Sequence, residues 1–121
     1  MSEQTEAKTA DAALASHYIR TADVNWEPMN EFDGVEMKVL YRDETTGLFT
    51  GLFRLAPGAT IPLHEHTDVE QTYVLEGTFQ DDDGVAMAGD FISRPAGNRH
   101  TAHSPDGCIV LGMFLKPNKF L

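Results

Sequence analysis

"PLHEHTDVEQTYVLEG", residues 62–77, carries two histidines one residue apart and, four positions after the second, a glutamate at the head of a β-branched and aromatic run. In an extended segment side chains alternate between faces, so His64 and His66 point to one side. Glu70, an even number of residues further on, rejoins that side if the intervening chain stays roughly extended. Imidazole nitrogens and a carboxylate are donors that non-haem iron, manganese, nickel, copper and zinc accept. Alone the pair is a weak sign, because a His-x-His on a surface loop also reads as two solvated imidazoles.

Outward from this stretch the chain is built of short runs of β-formers. "YIR" (18–20), "VEMKVLYRD" (35–43), "LFTGLFRLA" (48–56), "EQTYVLEGTF" (70–79), "VAMAGDFISR" (85–94) and "CIVLGMFLK" (108–116) are the main ones. The segments "ETTG", "PGATIP", "DDDG" and "PAGNRH" separate them with turn residues and ladder breakers. Gly77 is expected at a bulge or bend inside its strand, and Gly89 at a second break. No window of ten or more residues shows a clean helical period, so about seven or eight strands predict a sandwich or closed barrel rather than an α/β fold. Residues 1–16, poor in large apolar groups, are expected as a mobile tail, and residues 17–121 as one domain.

A second stretch, "GDFISRPAGNRHTAHS" (89–104), supplies His100 after a Pro and Gly loop, on a later strand that a barrel could bring to face the first pair. Gly58, five residues, His64-x-His66, three residues, Glu70, six residues and Gly77 resemble the first cupin motif at every position. Gly89, five residues, Pro95-x-Gly97, two residues and His100 resemble the second, which usually closes on an Asn where this chain has Ser104. The resemblance implies an all-β jelly-roll barrel holding one divalent metal through His64, His66, Glu70 and His100. A narrower resemblance, carried by "EQTYVLEG", "RPAGNRHTAHSPDG" and the ending "PNKF" (117–120), is to small single-domain cupins. That branch includes acetylacetone (β-diketone) dioxygenases, dihydroxyacetophenone dioxygenases and the cupin domain of ChrR-type anti-sigma factors. The enzymes imply Fe(II), O2 and cleavage of a carbon–carbon bond in a small diketone or aryl hydroxy-ketone; the sensor implies zinc without catalysis. In the diketone enzymes three histidines usually hold the iron, which leaves Glu70 open as a ligand or as a carboxylate behind the ligands. Manganese, nickel and copper suit the same donors.

Thr72, on the Glu70 face by alternation, and Arg94, just before the His100 loop, are candidates for fixing substrate oxygens. His103 lies an odd number of residues from His100 and is expected on the opposite face, as Tyr73 is with respect to Glu70. The triplet Asp81, Asp82, Asp83 before Gly84 reads as a hairpin turn rather than a cation site. Cys108, the one cysteine, reads as a small buried hydrophobe.

A net charge of −10 disfavours nucleic acid and anionic membrane surfaces as partners, and no stretch reaches the roughly 18 apolar residues of a membrane-spanning helix. The N-terminus lacks a secretory pattern, so the cytoplasm is the expected compartment. Strand edges and the piece "NWEPMNEFDGV" (25–35) make a homodimer the expected assembly.

Overall fold

The strand that opens at Glu70 belongs to two sheets. In a computed structural model, which describes residues 11–121, ten strands follow in chain order with no α-helix among the described residues. They are β1 (Glu27–Pro28), β2 (Val35–Arg42), β3 (Phe49–Leu55), β4 (Thr60–Glu65), β5 (Glu70–Asp81), β6 (Gly84–Met87), β7 (Phe91–Arg94), β8 (Arg99–His103), β9 (Cys108–Phe114) and β10 (Lys119–Phe120). The first half of β5 lies between β9 and β7, and β9 continues through β3 and β2 to β1. Its second half pairs with β6 and touches β8, which leads through β4 to β10. All pairs are antiparallel, and the sheet curls into the expected cupin jelly roll.

Gly77 makes the passage between sheets possible. Its φ is +76°, and a Cβ there would stand 1.9 Å from the Gly107 carbonyl oxygen, so only glycine fits where the two strands cross so closely. The register of β5 against β9 slips between Val74 and Glu76, the bulge that bends the strand just before this point.

Inward-facing residues of both sheets meet in a core of Val35, Leu55, Val74, Phe79, Ala102 and Val110, with Cys108 buried among them. Burial raises the pKa of that thiol, as expected for an inert apolar cysteine.

Two sequence readings need correction. "YIR" forms no strand: Tyr18, Ile19 and Arg20 are exposed and unpaired in any ladder among the described residues. The run 85–94 is interrupted at Gly89 as expected, giving two strands, β6 and β7, with Gly89 in the turn between them. The stretch around "PGATIP" is not only a breaker, because Thr60 to Glu65 pair with β8 and accommodate Pro62 through a register shift between Ile61 and His64. Of the expected tail, residues 1–10 lie outside those described, and residues 11–16 are exposed around a single short 3-10 turn, Ala12–Leu14. No described helix is long and apolar enough to cross a membrane.

Candidate metal centre

The β4–β8 ladder builds the site. His64 and His100 are direct cross-strand partners, so their side chains leave the sheet on the same face a strand spacing apart. His66 stands just past the end of β4, where its N–H donates to the Asn98 carbonyl at 2.8 Å and its own carbonyl accepts from the Gly97 N–H at 2.7 Å. The Pro95–Asn98 loop therefore clamps His66 beside the strand that carries His100. All three rings are buried, and one nitrogen from each lies within 4.8 Å of the other two.

The ring orientations suit a metal. His64 Nδ1 is 2.7 Å from the Pro62 carbonyl oxygen, which only an Nδ1–H can satisfy, leaving Nε2 with its lone pair. The Nε2 atoms of His66 and His100 are 2.8 Å apart, near the roughly 3 Å expected between neighbouring donors at metal–nitrogen distances of about 2.1 Å. Burial lowers the His66 pKa to about 4, helped by the neighbouring His64 and Arg94 charges. Burial likewise lowers His100 to about 3, with Arg94 acting in the same direction, and lowers His64. Three neutral imidazoles at pH 7 are what a divalent ion requires.

Glu70 opens β5 on the same side, buried, with Oε1 3.5 Å from His66 Nε2 and 3.0 Å from Arg94 Nε. Burial raises its pKa to about 7 against the opposing pull of Arg94. Arg94 ends β7 directly opposite Glu70, is itself buried, and bridges Glu70 to Asp81 at the far end of β5. Thr72 is buried two residues after Glu70 on the same face. His103 shares an exposed contact with Thr60 Oγ1 at 3.1 Å, away from the cluster, and Tyr73 faces out.

His64, His100, Glu70 and Thr72 border a narrow chamber of about 70 Å³ whose remaining wall is mainly apolar, including Phe53, Ile61, Val110 and Phe114. A wider vestibule of about 480 Å³ shares Met29, Phe53, Phe114, Asn118 and Phe120 with it. Arg94 instead borders a separate cleft of about 420 Å³ between β6 and β7.

Sequence reasoning missed two residues here. Asp81, read as part of a turn, turns its carboxylate inward, 6% exposed, with Oδ2 3.4 Å from His100 Nδ1. Burial favours its protonated form, but Arg94 and the backbone N–H groups of Asp83 and Gly84 outweigh this, so its pKa is lowered. Asn118 reaches the chamber with a buried, unpartnered Oδ1. Nothing near either residue in the chain signals this, apart from the "PNKF" likeness that includes Asn118.

The model of the ChrR cupin-like domain matches residues 14–118. The chain belongs to this cupin family. No curated protein is a significant match. Among solved structures this cupin is similar to a putative acetylacetone dioxygenase of Methylibium petroleiphilum PM1, at 21% identity and TM-score 0.84 over 93% of this chain and 85% of that one. An acetylacetone dioxygenase of Acinetobacter johnsonii is similar at 21% identity and TM-score 0.83, over 93% and 83% of the two chains. The Rhodobacter sphaeroides complex of SigE with the anti-sigma ChrR is similar at 28% identity and TM-score 0.67, over 78% of this chain and 50% of that one. The dioxygenase likenesses establish the fold; the cupin site itself is read from the histidines.

Proposed function

We propose that this cupin is a mononuclear metal enzyme, an Fe(II) dioxygenase that cleaves a carbon–carbon bond in a small diketone or aryl hydroxy-ketone. The observation that carries the reading is a cluster of three neutral, buried imidazoles, two of which, His64 and His100, border a small, mainly apolar chamber together with a carboxyl group and a hydroxyl group. His64, His66 and His100 would hold the ion. Iron bound there would polarise the ketone oxygens and supply the redox partner for O2.

Glu70 enters this proposal beside the metal rather than as the fourth ligand the motif implies, because the mutually close donor atoms are those of the three histidines alone while its Oε1 is engaged by Arg94. Its position and its pKa near 7 suit a base that takes the acidic proton between two carbonyls onto its carboxylate. Arg94 holds Glu70 in place, and the Thr72 hydroxyl donates to a substrate oxygen. The apolar wall excludes water and strengthens each of these contacts.

A second reading follows from the family match and the likeness to the ChrR chain: a zinc-holding cupin that binds a small molecule or protein without catalysis. Oxygen uptake separates the two. Protein loaded with iron under anaerobic conditions should consume O2 with one of a panel of β-diketones and aryl hydroxy-ketones, with cleaved acids among the products. No uptake across the panel, together with tighter retention of zinc than of iron, would favour the second reading.

A further inference from the structure

Of the three consecutive aspartates at the end of β5, Asp82 and Asp83 occupy the turn, whereas Asp81, the last residue of the strand, uses the turn to aim its carboxylate. Asp81 Oδ1 accepts from the N–H groups of Asp83 at 2.8 Å and Gly84 at 3.2 Å. Those two backbone donors fix the plane of the group and turn Oδ2 into the barrel, against Arg94 Nη1 and 3.4 Å from His100 Nδ1. His100 Nδ1 is buried and has no hydrogen-bond partner. An approach of about 0.5 Å would bring the two atoms to charge-assisted hydrogen-bond length.

We propose that Asp81 is a positioning residue that sets the tautomer of His100, its Oδ2 accepting a hydrogen bond from Nδ1–H so that the Nε2 lone pair stays free for the metal. The inference rests on the three-histidine centre proposed above. Two of the three imidazoles in this scheme are oriented from behind by a group that is not one of the fixed motif residues. For His64 it is the Pro62 carbonyl, and for His100 a carboxylate delivered from the opposite end of β5. Arg94 joins the two carboxylates, so Glu70 and Asp81 are held by a single cation on either side of the histidines.

The backbone donors make the test sharp. In Asp81→Asn the two N–H groups of the turn outnumber the single Arg94 donor, so the amide oxygen takes the Oδ1 position and the NH2 group the Oδ2 position, where the Arg94 contact is lost. The NH2 group then faces His100 Nδ1 as a donor, and the ring must carry its proton on Nε2, the atom the metal needs. Asp81→Ala leaves Nδ1 without a fixed partner and the ring free to take either tautomer. Tautomers are read from ¹⁵N chemical shifts of metal-free protein at pH 7.5, and affinity from competition between protein and a chelator for zinc.

Wild-type His100 should be an Nδ1–H ring. Asp81→Asn should convert it to Nε2–H and weaken zinc binding about 10–100-fold, with Asp81→Ala falling between the two. A packing role predicts the opposite order, with the near-isosteric Asn close to wild type and Ala worst. That order, or a folded Asp81→Asn that keeps Nδ1–H and binds zinc within about threefold of wild type, overturns the proposal. If Asp81→Asn does not fold, the wild-type spectrum decides, and an Nε2–H His100 is enough to overturn it. Failure of wild-type protein to bind zinc would count against the three-histidine centre, while the tautomer would still report on Asp81.

Discussion

His64 and His100 are directly opposed in the β4–β8 ladder, their ring centroids 4.3 Å apart. Their separation is therefore set by backbone register, and a metal placed between them adds to a geometry that already exists. Replacing His100 by Ala removes one of three donors without touching the ladder hydrogen bonds. Zinc affinity should fall by more than the roughly 100-fold upper range seen when groups behind a ligand are lost, while the metal-free variant keeps its β-type circular dichroism. Full metal occupancy in purified His100→Ala would remove His100 from the centre.

Glu70→Gln separates a ligand from a base. With Arg94 holding Oε1, the metal should be retained, with affinity within about threefold of wild type, whereas oxygen uptake with a diketone should fall about 10²–10⁴-fold. Loss of metal in step with activity would restore Glu70 to the coordination sphere. Chelator competition and an oxygen electrode on the same preparation give both values.

The barrel was legible in the sequence because its evidence is local: alternating apolar runs, turn residues between them, and glycines spaced at corners such as Gly77. The histidines were legible for the same reason, since two short motifs carry them. What was hidden depends on distance in the chain. Pro62 reads as a ladder breaker, and only the register shift beside it shows how β4 still pairs. Asp81 is 19 residues before His100 in the chain, and as one of three consecutive aspartates it gives no hint that its carboxylate alone turns inward. Arg94 looked like a group free to meet substrate, and it is instead bound to two carboxylates. The "YIR" run has strand composition, but no neighbouring edge pairs with it among the described residues, so composition did not become structure.

Acid should destabilise the metal-free protein. His66 and His100 have folded pKa values of about 4 and about 3, below the usual 6.5. As pH falls from 6.5 the unfolded chain takes up protons that the folded rings refuse, so stability declines until the folded rings themselves titrate. Glu70 acts in the opposite direction between 4.5 and about 7, where the folded carboxyl holds the extra proton. Two histidines outweigh one glutamate, and His64, also lowered, adds to them. Urea unfolding of chelator-treated protein should show a net loss from pH 6.5 to 4.5 and a steeper loss below 4.5, where the glutamate no longer compensates. A flat or rising profile across 6.5–4.5 would mean that the rings are not held neutral by burial.

Gly77→Ala should be among the most damaging single substitutions in the barrel. A positive φ costs an alanine about 1–2 kcal/mol, and here the added methyl would also meet the Gly107 carbonyl oxygen at 1.9 Å. That oxygen accepts from the Thr78 N–H at 3.2 Å, so moving it away breaks the contact that carries β5 from one sheet to the other. Glu70 and Asp81 lie on opposite sides of this crossing in one strand, and both flank the histidines. A shift at Gly77 should therefore displace one carboxylate relative to the other as well as unfold the protein. The expected loss is more than about 3 kcal/mol in urea unfolding, together with weaker zinc binding in whatever fraction remains folded. By contrast, Gly84→Ala, where an added Cβ meets nothing within 4 Å, should cost less than about 1 kcal/mol and leave zinc affinity unchanged. Equal losses at the two glycines would show that the close crossing at Gly77 does not hold the two halves of the site in register.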